Sequence, residues 1–109
     1  MAGNNQFNQR MQELWERYLP QQLLRLQTIS RAVTALESGE LDSNLQNQAA
    51  ADAHKLAGSL GSFGLHEASE IAQVIEAEFT SITTNQKVTS TGLRAALVHL
   101  CLEIESKYK

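Results

Sequence analysis

The chain holds one cysteine and one proline in 109 residues. A lone thiol excludes an internal disulfide and fits a reducing compartment. No apolar run approaches the length of a membrane span. Residues 1–9 are polar and lack the apolar centre of a signal peptide. The net charge is −3 and no block of like charges occurs, so a nucleic-acid footprint is not expected. No Walker spacing is present, since Gly58-Ser59-Leu60-Gly61 lacks the Lys-Ser/Thr ending of a nucleotide-binding loop. These absences leave a soluble cytoplasmic protein as the expectation, with one domain over residues 1–109, monomeric, either free-standing or excised from a longer chain.

What is present favours helix. Ala, Leu, Gln and Glu are plentiful. Phe7, Met11, Leu14, Trp15 and Tyr18 fall at helical spacing and predict a first helix over residues 4–19. Pro20 is placed to interrupt it and to open a second helix at its first turn. That second helix carries Leu23, Leu24, Leu26, Ile29, Val33 and Leu36 and stops at Gly39. Asp42 or Ser43 is the expected N-cap of a third helix, which Gly64 ends. A fourth, over residues 65–83, shows Ala68, Ile71, Ala72, Ile75, Phe79 and Ile82. After a polar loop, a last helix over residues 90–107 carries Leu93, Leu97, Leu100 and Ile104. The fold class predicted is all-α: an antiparallel four-helix bundle with a short additional N-terminal cap helix.

The third helix is unusual. With about 100° of turn per residue, Asn47, Ala50, Ala51, Ala57, Gly58 and Gly61 lie within about 60° of His54. Leu45, Ala49, Leu56, Leu60 and Phe63 fall on the other side. A single imidazole thus stands on a face stripped of bulk. Glycine inside a helix costs about 1 kcal/mol relative to Ala, and a face that bare suits close approach by a partner's backbone. An exposed imidazole is a nucleophile near neutral pH if its other nitrogen is held by a hydrogen bond. In a hairpin turning near Gly64, His54 falls level with Glu76, with Gln73 close behind, so either could be the holder. Lys55, about 100° around the helix, is long enough to swing toward a phosphoryl group. No His, Cys, Asp or Glu lies three or four positions from His54, so a metal site there is not expected. The plainer reading of His54 alone is an ordinary surface histidine.

The segment Ala53-His54-Lys55-Leu56-Ala57-Gly58-Ser59, followed by Phe63-Gly64-Leu65, resembles the histidine-containing phosphotransfer domain. That family carries an aliphatic residue two positions after its histidine, Gly four after, Ser or Ala five after, and a Leu/Phe-Gly pair near the helix end. The chain has Leu56, Gly58, Ser59 and Phe63-Gly64 in those places, and Glu76 matches the position that faces the histidine from the next helix. It departs at Ala57, where the family usually has Lys. The stretch beginning Leu14-Trp15-Glu16-Arg17 further resembles phosphotransfer modules of cyanobacterial multidomain response regulators.

The resemblance implies a phosphoryl carrier without kinase activity or ATP site of its own. His54 would be the acceptor, served by Lys55, Glu76 and Gln73. Receiver domains would dock over Ala50, Ala51, Ala57, Gly58 and Gly61. A receiver or a hybrid histidine kinase would be the partner; the receiver would hold any Mg²⁺, leaving no cofactor here. Two other readings stay open: the phosphoacceptor module of a chemotaxis-type kinase, and a non-catalytic helical adaptor.

Overall fold

The computed structural model describes residues 2–81 and 90–106, with the backbone alone at 2–8 and 90. Four helices follow one another: α1 (Ala2–Glu37), α2 (Ser43–Ser62), α3 (His66–Ser81) and α4 (Ser90–Ser106). Each packs on two neighbours in the cyclic order α1, α2, α3, α4, with α2 against α3 the most extensive pairing. The bundle expected from periodicity is therefore the bundle observed. Ile82, expected on the fourth helix, and the loop that follows lie outside the described residues, as does Phe7's side chain.

One boundary differs. α1 runs unbroken through Pro20, so the expected cap helix is the first half of α1 and not a separate element. An interior proline removes one backbone hydrogen bond and crowds the preceding turn, at a cost of about 3 kcal/mol. Here Pro20 and Glu16, whose carbonyl loses its partner, are both exposed, so water can satisfy that oxygen. Packing holds the helix on both sides of the proline. Trp15 is buried and meets Phe63, the C-cap of α2, edge-to-face at 5.1 Å. Beyond it, Gln22 and Leu26 are buried.

Both interhelical turns close in the same way. Gly39 (φ 74°) and Gly64 (φ 80°) sit in the left-handed region, where side chains are strained. Gly39 N–H donates to Leu36 and Glu40 N–H to Ala35; Gly64 N–H donates to Gly61 and Leu65 N–H to Leu60. These paired bonds satisfy the last carbonyls of α1 and α2 and stop each helix. Asp42 then starts α2 by accepting from Leu45 N–H at 2.7 Å.

The core lies between the four apolar faces. Ile29, Val33, Leu56, Leu60, Ile75, Phe79 and Leu100 are wholly or almost wholly excluded from water. Burying each such side chain is worth about 1.5–3 kcal/mol, which fixes the rotation of α2 and hence the direction in which His54 points.

Candidate functional site

Three polar contacts set the register of α2 against α3. Gln46 Nε2 donates to the Phe79 carbonyl at 2.7 Å near one end. Ser69 Oγ donates to the Ala57 carbonyl at 2.8 Å near the other. Between them His54 faces Glu76, with Nδ1 at 3.1 Å from Oε2 and 3.3 Å from Oε1. A carboxylate only accepts, so the proton sits on Nδ1. In the neutral ring the lone pair is then on Nε2. The His54 side chain is 74% exposed and that of Glu76 33%, so the ring is held from behind and open in front.

Beside the imidazole lies a shallow cleft of about 490 Å³ lined by His54, Ala57, Gly58, Gly61, Ser69, Gln73 and Glu76. Gln73 forms no hydrogen bond with His54; its Nε2 donates to Ser69 Oγ at 3.4 Å. Of the two candidate holders, Glu76 is the one engaged. Lys55 is exposed and outside the cleft lining, and forms no ion pair or side-chain hydrogen bond among the described residues.

The small-residue face is only half free. Ala57 is buried at 6% exposure, which corrects its expected place on the docking surface. Ala50 and Gly61 are half-buried, whereas Asn47, Ala51 and Gly58 are exposed. The helical wheel explains the division: Ala50, Ala57 and Gly61 lie to one side of His54 by about 20–60°, and Asn47, Ala51 and Gly58 to the other by similar angles. α3 covers the first side. A Cβ on Gly61 would meet Ser69 Oγ at 3.5 Å, whereas one on Gly58 would meet nothing within 4 Å. Gly61 therefore faces α3, and Gly58 faces open space.

Sequence reasoning missed Ser69, whose hydroxyl joins α3 to the backbone of the histidine helix. A Ser in the first turn of an amphipathic helix carries no signal until its neighbour is placed. Ser59, five residues after His54, accepts from Arg25 NH1 at 3.1 Å and so ties α2 to α1. His66 is exposed. His99 Nε2 lies 3.7 Å from Glu67 and 3.4 Å from Glu103, away from His54.

A helical bundle that displays an imidazole, fixed from behind by a carboxylate and bordered by an open glycine, has the build of a group carrier. Comparison with known proteins gives the family. The Hpt domain model matches residues 13–107, and the chain belongs to that family. Hpt domains carry phosphoryl groups on histidine in two-component phosphorelays, where they work with receiver domains and kinases and are not kinases themselves. Protein RcaC of Microchaete diplosiphon is 39% identical over 66 residues, which is 61% of this chain and 10% of that protein. The chain thus spans about a tenth of the length of that relative. No solved structure matches it. No helix among the described residues is long and apolar enough to cross a membrane.

Proposed function

We propose that the chain is a phosphorelay intermediate in which His54 takes a phosphoryl group from the aspartyl phosphate of one receiver domain and gives it to the aspartate of another. The observation that carries this reading is the Nδ1–Glu76 contact at 3.1 Å behind an open ring. The Nε2 lone pair attacks phosphorus in line, and the bond from phosphorus to the aspartyl oxygen breaks. The aspartate leaves as a carboxylate. The ring becomes an Nε2-phosphoimidazolium whose Nδ1 proton stays on the hydrogen bond to Glu76. Glu76 is therefore a positioning residue that also stabilises the charge formed on the ring. Run backwards onto a second aspartate, the same step delivers the phosphoryl group.

Docking uses the open flank of α2 across Ala51 and Gly58, where the helix backbone is accessible. Lys55, on that flank, supplies a mobile cation for the incoming phosphate. The chain uses no ATP and no cofactor of its own; Mg²⁺ serves the receiver.

The test is incubation with receiver domains charged by a small-molecule phosphodonor, read by intact mass and acid treatment. One acid-labile phosphoryl adduct is expected, absent in His54→Gln. An adduct that persists in His54→Gln moves the site elsewhere. Phosphorylation only by an ATP-bound kinase domain, and never by a receiver, would favour the chemotaxis-type arrangement.

A further inference from the structure

We infer that Glu67, His99 and Glu103 form a binding site for a divalent transition-metal ion that bridges α3 and α4. His99 and Glu103 stand four residues apart on α4, so both side chains leave the same face of the helix. Glu67 reaches them from the first turn of α3. One ligand atom from each of the three lies within 4.8 Å of the other two. Paired ligands one helical turn apart, completed by a third from a neighbouring helix, are how bundles build metal sites.

The spacing separates this cluster from a hydrogen-bonded one. His54 and Glu76 share a hydrogen bond. His99 Nε2 instead lies 3.7 Å from Glu67 Oε1 and 3.4 Å from Glu103 Oε1, and neither contact is a hydrogen bond. Charge-assisted hydrogen bonds are about 2.7–2.9 Å long. Donors around a tetrahedral ion, each about 2.0–2.2 Å from it, stand about 3.3–3.5 Å apart. The observed separations are close to the second pattern. The carboxylates close the remainder by turning about their own bonds, since the Glu67 side chain is 67% exposed.

The donor set selects the ion. Among the described residues, neither carboxylate has an ionic partner other than His99, so a dication offsets their mutual repulsion. Mg²⁺ and Ca²⁺ take oxygen ligands, whereas an imidazole nitrogen suits Zn²⁺ and its transition-metal neighbours. The site faces solvent, and water supplies the remaining ligands. It stands apart from the imidazole at position 54. Glu67 and Glu76 are nine residues apart on α3, which is half a turn around the helix and about 13 Å along it. The inference is therefore independent of phosphoryl transfer. The pair on α4 is visible in the sequence; its third ligand appears only when α3 packs on α4.

The test is calorimetric titration of the reduced chain with ZnCl2 at neutral pH, with MgCl2 in parallel. One Zn²⁺ per chain is expected, bound at least about tenfold tighter than Mg²⁺, with a raised thermal midpoint. Glu67→Gln, His99→Ala and Glu103→Gln should each weaken binding by at least about tenfold and reduce the rise in midpoint, with unchanged helical circular dichroism. His54→Gln and Cys101→Ser should bind Zn²⁺ as the natural chain does. A chain that takes up no Zn²⁺, or takes Mg²⁺ equally well, overturns the inference. Binding that survives His99→Ala, or that is lost in His54→Gln or Cys101→Ser, places the ion elsewhere and overturns it as well.

Discussion

At the scale of single residues, the site rests on which nitrogen of His54 is occupied. In the proposed transfer the His54 ring becomes charged while Glu76 holds it by a hydrogen bond, and bonds to charged groups are worth about 1.5–3 kcal/mol. Glu76→Ala should therefore slow phosphoryl transfer by about 10- to 100-fold while leaving thermal unfolding nearly unchanged, as stopped-flow and calorimetry would show. Unaltered transfer would make Glu76 a bystander. Gly58 separates fold from function in another way. Its Cβ position is open space, so Gly58→Ala should stabilise the helix by about 1 kcal/mol and yet impair transfer by thickening the docking flank. A variant both more stable and as fast would remove Gly58 from the interface. His54, Gly58 and Glu76 were readable in the sequence because the family motif and hairpin register place them. Ala57, Gly61 and Gln73 were not, because helical angle alone does not say which flank a neighbouring helix covers.

At the scale of elements, capping explains most of what was legible. Asp42, Gly39 and Gly64 end or begin helices through local chemistry, and local chemistry is visible in sequence. Pro20 misled for a related reason: its local rule is strong, but packing of Trp15 on Phe63 and burial of Leu26 beyond it override the rule. The outer ends of α1 and α4 are joined by Arg94, which donates to Glu37 at 2.6 Å and 3.1 Å. That hydrogen bond, opposed by partial desolvation and assisted by the Arg94 charge, holds the Glu37 carboxyl below its usual 4.5. A carboxylate with a depressed folded pKa contributes stability that is present above its unfolded value and lost as pH falls through the folded one. Thermal midpoints of the natural chain should thus drop more between pH 5 and 3 than those of Arg94→Met. Parallel profiles would show that the pair adds nothing measurable.

At the scale of the whole molecule, the opposite seams of the bundle differ. The α2–α3 seam presents His54, with contacts from Gln46, Ser69 and Glu76 keeping it in register. The α1–α4 seam is looser, with Leu23 and Leu102 about half exposed. Bundle class was legible because four amphipathic periods leave few alternatives; the unequal closure of the seams was not, since it depends on how far each helix is rotated. The account turns on Nδ1 being occupied by Glu76, so that phosphorus bonds Nε2. Nitrogen–phosphorus coupling in the NMR spectrum of the ¹⁵N-labelled phosphorylated chain reads this directly. Coupling to Nε2 of His54, with Nδ1 still protonated, is the predicted result; phosphorus on Nδ1 would contradict it.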